Sequence, residues 1–279
     1  MSNQKTLRNS IDFEGVGLHT GNKVKMTLEP AKENFGIKFQ RIDLENSPII
    51  PASIDLVNET QRSTTLEKDG IKIITVEHIM SALYAMGVNN VLVKINNPEI
   101  PILDGSSRFF VEEIQKVGLK NQTAPLNYVK LNKPIHYVDK ETGSEILFVP
   151  ANNFILSVLL DYENPVLGTQ YAEIRNLDNY SKEIANCKTF VLLTELEKLS
   201  QANLIKGGDL HNAIVLVDRS DIKDEEIRNL AHLLGKDATD IKVNGNILNN
   251  CELQFHNEPA RHKLLDVIGD LALIGMPIV

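Results

Sequence analysis

The sequence is poor in cysteine: 279 residues hold two, Cys187 and Cys251. They form neither a CxxC pair nor a zinc-finger spacing, which argues against a disulfide framework and a cysteine-built metal site. Each reads as a small buried hydrophobe, and the pair fits a reducing, cytoplasmic compartment. Positive charge is also short. Lys and Arg number 29 against 37 Asp and Glu, for a net charge of −8. A general nucleic-acid binder is normally basic, so none is expected as a partner. A few local Lys or Arg residues still suffice for an anionic small molecule. Long apolar runs are missing: none approaches the roughly 20 residues of a membrane span. The opening MSNQKTLRNSIDFEG lacks the apolar core of a signal peptide. Any contact with lipid is expected through a pocket or a surface.

What remains is an ordinary globular composition, 42% hydrophobic and 24% charged, long enough for two domains. Val24–Glu29 alternates apolar and polar residues and reads as a half-buried strand, and Gly36–Phe39 looks similar. Ile71–Ile74 reads as a short strand. A helix follows from Thr75, its expected N-cap, with Ile79, Met80, Leu83 and Met86 on one face and Gly87 at its end. Asn90–Ile95 reads as a buried strand, Pro98–Gly105 as a loop and Arg108–Lys116 as a second amphipathic helix. The polar, Pro-containing stretch 120–126 is expected to be a domain break, giving domains at 1–121 and 126–279. Beyond it, strands are expected at Tyr128–Leu131, Ile135–Val138, Glu145–Val149 and Phe154–Leu160. Residues 178–245 read as an insertion, with helices at Val191–Leu199 and Glu225–Leu234 and a strand at Ala213–Val217. A final helix is expected from Pro259 to Ile274. Each half runs strands first, then a helix with one histidine near its start. The second half stops where the matching strand and helix should follow, so the repeat implies a chain cut short.

Three segments hold candidate chemistry. In His262-Lys263-Leu264-Leu265-Asp266-Val267-Ile268-Gly269-Asp270, His262 and Asp266 lie four apart and share a helix face. Gly269 is expected to leave room for a ligand there. Imidazole plus carboxylate suits zinc, although an exposed i,i+4 pair in mild electrostatic contact is the commoner meaning of this spacing. Thr75-Val76-Glu77-His78 opens the earlier helix. A catalytic zinc site has three protein ligands and an open position, and His78 completes such a set. Glu77 is then the candidate general base, against the plain alternative of an acid favoured at a helix N-terminus. Gly15-Val16-Gly17-Leu18-His19-Thr20-Gly21 suggests a tight loop with close backbone approach, or a simple hairpin turn.

These segments, with Pro98-Glu99-Ile100-Pro101-Ile102-Leu103-Asp104-Gly105-Ser106 and Lys188-Thr189-Phe190, resemble the UDP-3-O-acyl-N-acetylglucosamine deacetylases of lipid A synthesis. Five motifs in the family's order, from end to end of the chain, make the likeness specific. The resemblance implies an α/β fold of two similar two-layer sandwiches, like the second domain of ribosomal protein S5, facing each other across the active site. It implies Zn2+ held by His78, His262 and Asp266, with Glu77 as general base and Thr189 donating to the oxyanion. Asp270 would orient a general-acid histidine. His19, Phe190 and Lys263 would contact substrate, and Tyr162 would stack on uracil. Val191, Leu192, Leu204 and Ile205 would line an apolar passage for the acyl chain.

The sequence departs from the family pattern in three places. The Gly-His segment expected downstream of Asp270 is absent, so impaired catalysis is expected, or a non-catalytic UDP-acyl-sugar binding module. Val191-Leu192 stands where many relatives have a glycine, and Ser63 where some have a cysteine. A structural zinc staple is a third reading, disfavoured because no fourth ligand sits in a motif. Some members of the family are fused to a 3-hydroxyacyl-carrier-protein dehydratase, and such a fusion is a further expectation.

Overall fold

The computed structural model describes residues 2–164, 168–201, 206–209, 211–219, 222–233, 237, 241–248 and 252–279. These build a mixed α/β chain. It begins with β1 (Asn3–Leu7), β2 (Ile11–Val16), β3 (Lys23–Pro30), β4 (Ile37–Arg41) and β5 (Ile49–Pro51). There follow β6 (Val57–Glu59), β7 (Thr65–Lys68), β8 (Ile71–Ile73), α1 (Glu77–Ala85), β9 (Val91–Ile95), α2 (Arg108–Val117) and β10 (Leu119–Pro125). Next come β11 (Ile135–Val138), β12 (Glu145–Phe148), β13 (Leu156–Asp161), β14 (Thr169–Ile174) and α3 (Tyr180–Glu183). The last are β15 (Phe190–Leu192), α4 (Leu193–Gln201), β16 (Ile214–Leu216), α5 (Asp224–Leu233), β17 (Val243–Asn244), β18 (Ile247–Leu248) and α6 (Glu258–Ala272).

Alternation decides the central sheet, ordered β2-β3-β9-β4-β5. Val24, Met26 and Leu28 of β3 and Val91, Val93 and Ile95 of β9 all point inward, as a period of two requires. Only β4 and β9 pair in parallel within this sheet. α2 packs on it through Phe110, whose ring meets Phe13 edge-on at 5.0 Å between centroids. Gly87 and Gly118 close α1 and α2 in the left-handed region, at φ of 73° and 76°. Ile79, Met80 and Leu83 of α1 share one core with Leu264, Leu265 and Ile268 of α6. Each such aliphatic side chain contributes about 1.5–3 kcal/mol by burial. Val215, Val217, Leu193, Leu196 and Leu230 form a second, smaller core around β15 and β16, which pair in parallel.

Several expectations need correction. Thr75 does not cap α1. It sits at φ 62°, the helix starts after Val76, and no side chain caps it. The stretch expected as a break at 120–126 is mostly strand, because β10 runs antiparallel to β1. Its polar residues are satisfied there: the Asn90 amide donates to Gln4 Oε1 and Gln122 Oε1 at 2.9 and 2.7 Å. Tyr128–Leu131 makes no strand, only a bridge from Val129 to Ile278. Val191 and Leu192 belong to β15, ahead of α4, since pairing with β16 holds them extended. Gly269 leaves room for backbone, not ligand. A Cβ there would lie 2.1 Å from the Glu77 carbonyl oxygen, where α6 crosses α1.

Candidate metal centre and active site

The α1–α6 crossing brings His78, His262 and Asp266 together, with one ligand atom from each within 4.8 Å of the others. His262 Nε2 and His78 Nε2 lie 3.3 and 3.9 Å from Asp266 Oδ1. The imidazole rings meet at 76°, 5.0 Å between centroids. The commoner reading of the His262/Asp266 spacing, an exposed pair, fails: His262 is 1% exposed. Its Nδ1 lies 3.0 Å from the Cys187 carbonyl. A carbonyl only accepts, so Nδ1 donates and Nε2 is left to face Asp266. Asp266 Oδ1, which both Nε2 atoms approach, has no hydrogen-bond partner among the described residues. Two imidazole nitrogens turned on one carboxylate oxygen are a donor set that fits a divalent cation such as zinc. Ligand atoms held tetrahedrally by zinc at ~2.0–2.1 Å would stand about 3.3 Å apart, which the 3.3 Å between His262 and Asp266 matches and the 3.9 Å from His78 exceeds. Among the described residues the cluster has three members.

The surrounding charges are strongly perturbed. Burial and the neighbouring His262 push His78 down to about 3, so it stays neutral and ligand-competent. Burial would raise Asp266, but the charges of His262 and Lys263 outweigh it and hold the carboxyl well below its usual range. Lys263 Nζ donates to Asp266 Oδ2 at 2.8 Å. Glu77 is buried, and its Oε2 accepts the Thr64 amide at 3.0 Å. Burial, then the Asp266 charge, raises Glu77 to about 8. Asp270 accepts the Thr64 hydroxyl at 2.7 Å. Although its side chain is open to solvent on one side, desolvation by the surrounding protein raises it to about 6.

The other expected site residues are distributed around this cradle. Phe190 stands edge-on to His262 at 6.3 Å and to Tyr162 at 5.9 Å, with Lys263 Nζ 5.5 Å from its ring centre. Burial raises Tyr162 to about 12. Thr189 follows two residues after Cys187, and its amide donates to Gly105 O at 2.8 Å. Val191 packs on the smaller core, and Leu192 is half-buried. Leu204 and Ile205 lie outside the described residues, as does Cys251. His19 lies in the loop against Lys206 and Gly207, outside the three-ligand cluster.

Sequence reasoning passed over four residues that shape the site. Thr64 joins Glu77 to Asp270 through its amide and hydroxyl. The Cys187 carbonyl fixes the His262 tautomer. Buried Glu258 accepts the Lys188 amide at 2.9 Å and so holds that same segment. Tyr180 is fully buried, with its hydroxyl 2.7 Å from Ser81 of α1 and 2.8 Å from Ser107. Only Glu258 carried a usable signal, since an acid four residues before a ligand histidine shares its helix face. Carbonyls and isolated hydroxyls leave none.

The model of one protein family, LpxC: UDP-3-O-acyl N-acetylglycosamine deacetylase, matches residues 4–232 and 229–279. The chain is 47% identical to the bifunctional enzyme LpxC/FabZ of Bacteroides thetaiotaomicron over 278 residues, covering 100% of this chain and 60% of that one. It is 42% identical over 277 residues to the bifunctional enzyme LpxC/FabZ of Chlorobaculum tepidum, covering 99% of this chain and 59% of that one. It is 37% identical over 278 residues to the UDP-3-O-acyl-N-acetylglucosamine deacetylase of Myxococcus xanthus, covering 99% of this chain and 80% of that one. The chain thus spans about 60% of the length of the two bifunctional relatives.

Proposed function

Since the chain belongs to the LpxC family of UDP-3-O-acyl N-acetylglycosamine deacetylases, we propose that it hydrolyses the N-acetyl group of UDP-3-O-(3-hydroxyacyl)-N-acetylglucosamine. The products are UDP-3-O-acyl-glucosamine and acetate, in lipid A synthesis. The observation that carries this reading is the three-sided cradle of His78, His262 and Asp266 with the Glu77 carboxylate beside it. His78, His262 and Asp266 are the residues that would hold Zn2+. When bound, zinc supplies Lewis acidity, which brings water towards a nucleophile near neutral pH and polarises the amide carbonyl.

The chain's own groups supply the base, the oxyanion donor and the substrate contacts. Glu77, buried beside the cradle, removes a proton from the attacking water. Water adds to the acetyl carbon, the C–N bond breaks, and the leaving amine takes up a proton. Thr189 donates to the developing oxyanion, a type of contribution worth about 2.7–4 kcal/mol for a well-placed donor. Asp270 orients the proton donor for the amine. Lys263 meets the diphosphate, Phe190 the sugar and Tyr162 the uracil, and His19 also contacts substrate. Val191 and Leu192 border the acyl passage. Two facing α/β sandwiches, one on each side of the α1–α6 crossing, are the architecture this reading implies. The cytoplasm, where UDP-sugars are made, is the matching compartment. No helix among the described residues is long and apolar enough to cross a membrane.

The test is acetate release from the acylated UDP-sugar by the zinc-loaded chain and by Glu77→Gln at equal zinc content. The variant is expected to be slower by about 10²–10⁴-fold, the usual share of a general base. Tight binding of the acylated nucleotide with no acetate released by either protein would instead identify a binding module.

A further inference from the structure

We propose that Glu99 is a positioning residue. Its buried carboxylate ties the His19–Thr20 turn to Thr75, just ahead of α1, and so sets the substrate-facing loop against Glu77 and His78. Glu99 is fully buried, and its carboxylate accepts from four donors. Oε1 accepts the His19 amide at 2.8 Å and the Thr75 hydroxyl at 3.3 Å. Oε2 accepts the Thr20 amide at 2.8 Å and the Thr20 hydroxyl at 2.7 Å. The turn is wrapped tightly around this group, since a Cβ on Gly17 would lie 2.3 Å from Oε2. Gly21 N donates to Gly17 O at 2.9 Å and closes the turn.

The other end of the link is equally constrained. Ile74 N donates to Pro98 O at 2.8 Å and Ile100 N to Ile74 O at 3.0 Å, so backbone bonds flank Glu99 on both sides. Thr75 then takes a left-handed conformation, φ 62°, which β-branched residues rarely adopt. Its hydroxyl bond to Glu99 helps hold it there. The same segment reaches onward: Ile102 N donates to Val16 O at 2.9 Å, and Gly105 O accepts from Thr189 at 2.8 Å. Residues 98–105 are therefore the shared neighbour of the glycine-rich turn, the start of α1 and the Thr189 segment. Glu99 is their charged, fully bonded centre.

A carboxylate is required here by donor count. Glutamine has nearly the same shape but would turn an NH2 donor onto two other donors. Glu99→Gln is therefore expected to speed hydrogen exchange at the His19 and Thr20 amides by about tenfold or more while α1 exchanges as before. Thr20→Val, which removes one donor and keeps the carboxylate, serves as the milder variant, with a smaller acceleration confined to the same turn. The kinetic arm rests on the proposed deacetylase reading: Glu99→Gln should raise KM for the acylated UDP-sugar by about tenfold, with kcat within about threefold and zinc content unchanged. Exchange unaltered in both variants would overturn the proposal. So would acceleration spread evenly through α1 and the central sheet, or a KM left at the wild-type value beside a lowered melting temperature. An unaltered chain that releases no acetate would count against the deacetylase reading alone, because the exchange arm still decides the role of Glu99.

Discussion

Two helices meet at the candidate metal centre, and each holds its histidine by different means. In α1 every residue from Glu77 to Leu83 is buried, so His78 is fixed by packing on all sides. Its Nδ1 has no hydrogen-bond partner among the described residues. In α6 one face is buried, while Lys263 and Asp266 are partly open and Asp270 is exposed. There His262 is fixed by a directed bond from Nδ1 to the Cys187 carbonyl. Packing sets position but not tautomer; a hydrogen bond sets both. The two histidines therefore respond to different perturbations.

The largest effect should come from the point where the helices touch. Gly269→Val would place side-chain carbon in the space of the Glu77 carbonyl, and Cβ alone comes to 2.1 Å of it. Two backbones must separate, so a loss of about 3 kcal/mol or more is expected, with loss of metal binding. Chemical denaturation and metal analysis of the variant measure both. Normal stability would mean that the helices do not cross as described.

A pH titration of the metal-free protein separates the groups on α1. Glu77 rises from an ordinary 4.5 to about 8, so its folded state binds the extra proton. That contribution to stability is complete below pH 4.5 and is lost as pH rises through about 8. His78 falls from 6.5 to about 3, so its contribution is complete above pH 6.5 and is lost as pH falls towards about 3. The two slopes oppose between pH 4.5 and 6.5, where stability should be greatest. Melting temperatures across this range should show the plateau, and Glu77→Gln should lack the alkaline fall. The same alkaline fall in variant and parent would remove Glu77 as its source.

The smallest effect is expected at Tyr180, which steadies α1 through Ser81. Tyr180→Phe should cost about 1–2 kcal/mol, with zinc content unchanged. Differential calorimetry and metal analysis check the two halves of that statement.

The contrast between the helices also explains what the sequence disclosed. The i,i+4 spacing of His262 and Asp266 is a local property of any helix, and it survived intact. The same holds for the alternation of Val24, Met26 and Leu28. What escaped depends on partners distant in the chain. Thr75 looked like a cap because its type favours one, yet its hydroxyl turns to Glu99. Residues 120–126 looked like a break because they are polar and hold a proline, yet most of them pair with the first strand of the chain. Gly269 looked like space for ligand because only the folded chain brings the Glu77 carbonyl against it.

The central claim is that α1 and α6 together hold one zinc, and metal analysis of purified protein tests it most directly. The unaltered chain should contain one zinc ion, and His78→Ala and His262→Ala should each lose most of it while Glu77→Gln retains it. Zinc content unchanged in either histidine variant would contradict the account.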